Sequence, residues 1–123
     1  MAREIEKRKP DNQADKAKRK RNRELNDLRI VSMTPEGRRL IWRVLTEGKV
    51  FHDGYVHGDG GFGTTFNSGR RSVGVWLLAE VMEAKPDLFM QMQKEHASEV
   101  KREEMELKEM AETKDMLEVY SEV

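Results

Sequence analysis

The residues with the greatest chemical potential lie in one glycine-rich stretch, residues 48–66, GKVFHDGYVHGDGGFGTTF. Its segment Gly58–Gly63 matches the G-x-G-x-x-G pattern, in which glycines let the backbone approach a pyrophosphate. A dinucleotide fold needs a strand before this pattern and a helix directly after it. We expect Thr64, Thr65 and Phe66 to delay the next helix. The stretch therefore favours an ordinary loop, and no cofactor is predicted.

The same loop carries imidazole and carboxylate groups that zinc accepts as ligands. They are His52, Asp53, His57 and Asp59. A loop without a rigid scaffold holds such ligands poorly, and exposure to water explains their presence equally well. We predict no metal site.

The chain lacks the usual nucleophile patterns. It has no cysteine, and no serine lies in a G-x-S-x-G turn. The carboxylates of residues 95–118 are spread along a helical segment, as on a solvated face. We therefore expect a protein that is not an enzyme and has no catalytic residues. The absence of cysteine also excludes disulfides and favours an intracellular compartment.

A dense basic segment precedes the apolar part of the chain. Six cationic residues fall within eight positions: Lys16, Lys18, Arg19, Lys20, Arg21 and Arg23. We predict that they contact an anionic partner, with non-specific DNA binding through phosphates as one interpretation. No aromatic residue is interleaved for base stacking. A solvated helix, or a tail that meets an acidic protein surface, is the alternative.

The zero net charge hides a gradient along the chain. Residues 1–31 hold 11 Lys/Arg against 6 Asp/Glu, residues 32–84 hold 6 of each, and residues 85–123 hold 6 against 11. Such asymmetry indicates different partners for the two ends, or head-to-tail contact between copies, and we expect a homo-oligomer. No run reaches the roughly 20 apolar residues of a membrane span, and we predict none.

Two helices supply most of the apolar residues. Thr34-Pro35-Glu36 is a strong helix start, and that helix is expected to end at Glu47, before Gly48. A second helix is expected over residues 68–84, capped by Asn67 or Ser68 and stopped by Pro86. Gly74 would let another helix approach closely. The predicted core consists of Leu40, Ile41, Trp42, Val44, Val73, Trp76, Leu77, Val81, Leu88 and Phe89.

These elements predict a mainly α protein with a small two- to three-helix core. Residues 1–31 form a basic N-terminal arm, partly flexible or helical from about Gln13, after a break at Pro10. Residues 32–96 form the core domain with an irregular loop at 48–66, pinned by its aromatic residues. Residues 97–123 form an acidic helical extension. In that extension Leu107, Met110, Leu117 and Tyr120 follow a faint heptad spacing.

Both core helices carry a Gly-Arg-Arg sequence near their start, at residues 37–39 and 69–71. We expect the two helices to cross with these glycines near contact. The arginines are then free to reach carboxylates or phosphates. We predict subunit contacts through Arg38, Arg39, Arg70 and Arg71. Cations at a helix start are electrostatically unfavourable, so Arg70 and Arg71 indicate an anion or a carboxylate partner, with Glu36, Glu80 and Glu83 as candidates.

The pattern TPEGRRLIWRVL, then GKVF, then TTFNSGRRSVGVWLLAEVMEAKPDLFMQM resembles a family of small bacteriophage proteins. The family is named after a Bordetella-phage protein (Bbp-like), and many members come from short-tailed phages. The resemblance covers about residues 33–95 and leaves both arms outside it. It implies a structural-module protein, encoded near portal and capsid genes, without catalytic residues.

The resemblance and the charge pattern together lead to one main hypothesis. The protein would be a multi-copy virion component at the portal, neck or tail, or inside the capsid, that assists genome packaging, retention or ejection. It would pass through the host cytoplasm during assembly. Two alternatives remain: a DNA-binding or regulatory protein of the infected cell, and a scaffolding or assembly factor.

Overall fold

The computed structural model describes the backbone of residues 2–122 and the side chains of residues 12–122. Four helices follow one another: α1 (Ala2–Val31), α2 (Pro35–Glu47), α3 (Phe62–Ala84) and α4 (Leu88–Ser121). Helix makes up 81% of the chain, and residues 2–122 contain no strand, which confirms the mainly α prediction. The chain divides into two compact units, Met1–Phe89 and Met90–Val123.

Helix α2 begins and ends where the sequence predicts. The hydroxyl of Thr34 accepts a hydrogen bond from the amide of Gly37 at 3.1 Å, and Pro35 occupies the first helical position. Gly48 ends the helix, but its φ of −74° is one that any residue adopts. The left-handed residue is Lys49, with a φ of 56°. Gly48 is therefore required for a reason other than chain reversal.

That reason is a close contact between the end of α2 and the middle of α3. A Cβ atom on Gly48 would lie 2.8 Å from the Cα of Gly74, and both glycines are buried. The predicted close approach at Gly74 is thus confirmed. The predicted contact between Gly37 and Gly69 is wrong. A Cβ on Gly37 would meet the carbonyl oxygen of Val31, and a Cβ on Gly69 would meet nothing within 4 Å.

Helix α1 is longer than its composition predicts, because it begins at Ala2 and continues through Pro10. A helix can include a proline at the loss of one backbone hydrogen bond. The helix ends at a tight junction in which Ser32 is buried and its amide donates to the Leu28 carbonyl at 3.0 Å.

Helix α3 begins six residues earlier than the prediction, at Phe62 rather than residue 68. The carboxylate of Asp59 accepts hydrogen bonds from the amides of Gly61 (3.1 Å) and Gly63 (2.7 Å), and so satisfies donors at the helix start. Gly61 has a φ of 91°, which favours glycine. Thr64, Thr65 and Phe66 therefore belong to the helix and do not delay it.

The buried apolar side chains are Leu25, Ile41, Leu45, Val81, Ala84, Leu88 and Met92. The predicted core residues Ile41, Val81 and Leu88 are among them, while Trp42, Leu77 and Phe89 are half-buried. The other four predicted core residues are exposed: Leu40, Val44, Val73 and Trp76. Because Gly74 is in contact with α2, the side of α3 that faces the core is centred on Gly74 and not on Val73 and Trp76 as predicted. Leu77, Val81 and Ala84 belong to the predicted side and also to the side that is observed in the core, whereas Trp76 is 60% exposed.

An aromatic cluster closes one end of the first unit. The Trp42 ring stacks on Phe51 with a centroid distance of 5.0 Å, and each of these rings lies 6.1 Å from Phe89. Because Trp42 meets a residue that follows α3 while Gly48 meets the middle of α3, α2 and α3 are antiparallel. Through these ring contacts Phe51, which is 40% exposed, fulfils the prediction that aromatics pin the loop, whereas Tyr55, Phe62 and Phe66 are 65–83% exposed.

The second unit consists of the remaining length of α4. Every residue from Val100 to Glu122 is exposed. Its helix therefore has no packed side along those residues, which is unusual because most helical stability in proteins comes from packing of one face.

The Gly48–Gly74 contact predicts that alanine substitutions at two glycines of α3 change the free energy of unfolding in opposite directions. We expect Gly74→Ala to lower the free energy of unfolding by about 1–3 kcal/mol, because the new methyl group must displace Val50 and the Gly48 backbone. Gly69→Ala has open space and should raise it by roughly 0.5–1 kcal/mol through helix propensity. Urea unfolding followed by circular dichroism measures both. Equal effects at the two positions would contradict the packing argument.

Candidate interaction surfaces

Arg21 holds α1 against α3. Its Nη1 donates to both carboxylate oxygens of Glu80 at 2.8 Å, and its Nη2 donates to Glu83. The hydrogen bond to Glu80, and to a smaller extent the one to Glu83, raises the pKa of the Arg21 guanidinium above its ordinary value. Leu25, one turn further along, is buried. Arg21 therefore has an internal partner, which corrects its assignment to an anionic partner or DNA.

The rest of the basic segment is exposed. Four of its residues recur at intervals of three and four, which places them on one side of α1. They are Lys16, Arg19, Lys20 and Arg23, called the basic stripe below. The stripe lies opposite the side that carries Arg21 and Leu25 and thus faces away from α3. Lys18 is exposed but lies on the Arg21 side. An array of exposed cations can bind phosphates, and this one offers no aromatic side chain for base stacking.

The first Gly-Arg-Arg sequence has a structural role at Arg38. Its Nη1 donates to the backbone carbonyls of Ser32 (3.0 Å) and Met33 (3.3 Å), which fixes the junction between α1 and α2. Arg39 lies 3.8 Å from Glu36 in an exposed pair, which contributes little to stability. Arg38 is therefore an internal contact, and Arg39 remains accessible to a partner.

In the second Gly-Arg-Arg sequence, too, the first arginine has a partner within the chain and the second is exposed. Arg70 donates to Glu47 at 3.0 Å, and its guanidinium lies 5.6 Å from the centre of the Phe66 ring. The carboxylate partner of Arg70 is thus Glu47, and not one of the three glutamates that the sequence proposed. Arg71 is exposed.

The polar side chains of the loop hold the loop itself. The Asp53 carboxylate accepts from the Tyr55 amide at 3.1 Å, and Asp59 accepts from amides at the start of α3. The Nδ1 of His57 lies 3.4 Å from the hydroxyl of Tyr55. Among the residues that the structure describes, no group of three or more His, Cys, Asp or Glu side chains is placed to hold a metal ion.

The four misassigned core residues form an exposed apolar face on the first unit. On α2, Leu40, Val44 and Glu47 recur at helical spacing; on α3, Arg70 is followed at helical spacing by Val73. The ion pair between Glu47 and Arg70 links α2 and α3 next to Val44 and Val73. Trp76 extends the α3 row. Leu40, Val44, Val73 and Trp76 are called the apolar face below.

A second unpartnered apolar row lies on α4. It consists of Leu107, Met110, Leu117 and Tyr120, called the α4 row below, whose exposures run from 65% to 74%. Glu106, Glu109, Thr113 and Lys114 flank Met110 and Leu117 along a shallow depression. This row is the faint heptad pattern of the sequence, and within residues 90–122 the second unit contains no helix or strand besides α4.

Sequence reasoning missed Glu47, and it proposed Glu80 and Glu83 as partners of Arg70 and Arg71, whereas their partner is Arg21. Glu80 and Glu83 are one turn apart on α3, which was a detectable signal for a cation partner. Their partner Arg21 lies 59 positions away from Glu80, and only tertiary packing reveals it.

In residues 2–122, no helix has both the length and the apolar composition needed to cross a membrane. Residues 28–94 match the sequence model of a family described as Bbp19-like phage protein. The match spans α2 and α3, the end of α1 and the beginning of α4. No curated protein and no solved structure matches the chain.

The Arg21 contact predicts a position-specific effect of charge removal. We expect Arg21→Gln to speed amide hydrogen exchange in residues 18–28, because α1 loses its ion pairs to α3. Arg23→Gln removes the same charge from the basic stripe and should leave exchange unchanged. Hydrogen exchange with mass spectrometry compares the two. Similar protection in both variants would show that the Arg21 pairs do not hold α1.

Proposed function

Because the chain belongs to the family of Bbp19-like phage proteins, we propose that this phage-associated protein is a non-enzymatic component of the bacteriophage particle. Several copies sit at the portal, neck or tail, or inside the capsid, where they assist genome packaging, retention or ejection. Family membership is the observation that carries the proposal.

The distribution of side chains supports an assembly role. The polar groups of the loop and of the Gly-Arg-Arg sequences largely serve the fold, through Asp59, Arg38 and Arg70. Many apolar side chains, in contrast, are exposed, among them the apolar face of the first unit and the α4 row. Extended apolar surfaces with polar margins mark sites of protein association. Such surfaces suit a protein that docks on a ring or shell.

The two charged ends suit the interior of a particle. The basic stripe of α1 presents four cations on one side, and phosphates of packaged DNA are a dense anionic partner. The acidic α4 would be repelled by the same DNA and is better suited to contact other proteins. In this proposal α1 faces the genome while α4 and the apolar face bind virion proteins.

A second candidate is a DNA-binding or regulatory protein of the infected cell, which the exposed basic stripe favours. Its cations would position the protein on the phosphate backbone but would not read base sequence. This candidate predicts salt-dependent binding to any duplex and absence from purified particles. A scaffolding factor would likewise be absent from mature particles, but it would be present in empty precursors.

Quantitative mass spectrometry of purified infectious particles, before and after DNA release, tests the proposal first. A fixed copy number in both samples supports a permanent structural part, and presence only before release supports an ejected protein. Absence from both samples refutes the virion role. Precursor particles analysed in parallel identify a scaffolding factor.

The accessible arginine of the second Gly-Arg-Arg sequence gives a residue-level test. We expect Arg71→Ala to reduce the copy number per particle while leaving the melting temperature unchanged, because this side chain is exposed. Arg70→Ala also removes the Glu47 contact and serves as the variant with a stability effect. Particle mass spectrometry and thermal melts are measured on the same variants. Normal incorporation of Arg71→Ala would remove this residue from the subunit contacts.

The basic stripe predicts a change in the salt dependence of DNA binding. Each phosphate contact contributes about −0.9 to the slope of log K against log salt concentration. We expect Arg19→Gln and Lys20→Gln each to make the slope less negative by about 1. Arg21→Gln, on the other side of α1, should not change it. Fluorescence anisotropy with a labelled duplex measures the slopes, and equal slopes for the wild type and all three variants would exclude the stripe.

A further inference from the structure

We infer that α4 of one copy pairs with α4 of a second copy as a short antiparallel coiled coil, with Lys108 of each copy opposite Glu109 of the other. The inference goes beyond the proposed function, because it stands on the residues of α4 and not on the location of the protein in a particle. A contact between identical surfaces closes at a dimer.

The α4 row belongs to a longer heptad pattern. Positions that alternate at intervals of three and four residues lie along one side of a helix and form the contact line of a coiled coil. Continuing the spacing of Leu107 and Met110 in both directions gives the positions called the α4 seam below: Val100, Glu103, Leu107, Met110, Lys114 and Leu117. All of them are exposed, so the seam has no cover in a single chain.

One antiparallel register matches each apolar residue of the seam with an apolar residue of the second copy. When Lys108 lies opposite Glu109, Leu107 meets Met110 and Val100 meets Leu117. Because the arrangement has two-fold symmetry, each of these contacts forms twice.

The same register pairs the two charged residues of the seam with each other. Glu103 of one copy lies opposite Lys114 of the other, again twice. The shallow depression on α4 includes Met110, Thr113, Lys114 and Leu117, and this i, i+3, i+4, i+7 set is the hole into which a coiled-coil partner inserts a side chain. The side chain that meets this hole is Glu103 of the second copy. A charged pair within a seam fixes the register.

Other arrangements of two α4 helices lack this complementarity. A parallel pair brings Glu103 to Glu103 and Lys114 to Lys114. A shift of the antiparallel pair by one heptad places Glu103 opposite Leu107, or Lys114 opposite Met110. Each alternative opposes like charges or buries a charge against an apolar side chain, which costs free energy.

The net negative charge of α4 does not prevent this pairing. Residues 90–123 hold 5 Lys/Arg against 10 Asp/Glu, and most of these charges lie outside the seam. Along the edges of the seam, the closest residue across from Glu106 is Thr113, and the closest one across from Glu104 is Ala111. Salt at about 0.15 M screens exposed charges separated by more than roughly 8 Å, so the outer carboxylates repel one another weakly.

Charge reversal in the full-length protein gives the decisive test. Glu103→Lys and Lys114→Glu each oppose like charges twice in the dimer, so each should raise the dissociation constant at least about 10-fold. The double variant restores both pairs with their charges exchanged and should recover the wild-type value. Analytical ultracentrifugation measures the dissociation constants. A double variant as weak as the single ones, or a wild type that stays monomeric up to millimolar concentration, would overturn the inference.

The apolar contacts have a test with a matched control. Leu107→Glu with Leu117→Glu should abolish the dimer, because carboxylates must be desolvated in the seam. Met105→Glu with Met116→Glu adds the same charge at exposed apolar positions outside the seam and should leave the dimer intact. Dissociation of the control protein as well would show a general effect of charge and contradict the seam.

The direction of the two helices can be measured because the chain has no cysteine of its own. In the proposed register Glu112 lies opposite Met105 and Val119 lies opposite Ser98. Two labels at position 112 are therefore offset by about 10 Å along the helix axis, and two labels at position 119 by about 31 Å. Pulsed electron paramagnetic resonance on spin-labelled Glu112→Cys and Val119→Cys measures both distances. Equal distances would indicate a parallel pair and overturn the inference.

The outcomes for assembly and for location are separable. A monomeric protein found in particles overturns this contact but leaves the virion role intact. A dimer that is absent from particles supports this contact and refutes the virion role.

Discussion

The contact between Gly48 and Gly74 determines how the first unit is arranged. Two backbones can approach this closely only where neither residue has a side chain, so the pair fixes the position and rotation of α3 against α2. Once Gly74 lies at the interface, Val81 and Ala84 follow on the same side and are buried. Val73 and Trp76 are necessarily carried away from that interface. The same contact therefore creates both the core and the exposed apolar face.

Helix α1 depends on α3 for a different type of interaction. Leu25 is buried, but most other side chains of residues 12–31 are exposed, and Arg21 reaches two glutamates of α3. Ion pairs near the surface contribute modestly and are screened by salt. The attachment of α1 is therefore expected to be the part of the first unit most sensitive to ionic strength. A charged arm held in this way can present its opposite side, the basic stripe, to an anionic partner.

The distribution of apolar residues explains why a chain with a small core can still carry function. A protein of this size with few buried side chains gains little stability from its own packing. Burial of Leu107, Leu117 and Trp76 against another protein would remove apolar surface from water and so stabilise the bound state. Under the proposed function, other proteins of the particle would be the partners. Assembly and stability are then linked, because partner binding adds the missing burial.

Local sequence determined much of this structure. Thr34 and Pro35 start α2, Gly48 ends it, and the charge gradient along the chain is present before any folding. The residues matched by the family also lie almost entirely where the sequence resemblance placed them. Each of these features depends on neighbours a few residues apart. Only the tertiary structure decided which side of α3 is buried, because the apolar spacing of α3 favours the side of Val73 and Trp76, and the contact with the distant Gly48 buries the side of Gly74. It also decided that Arg21 and Arg70 have internal partners, since Glu80 and Glu47 meet them only when distant segments pack together.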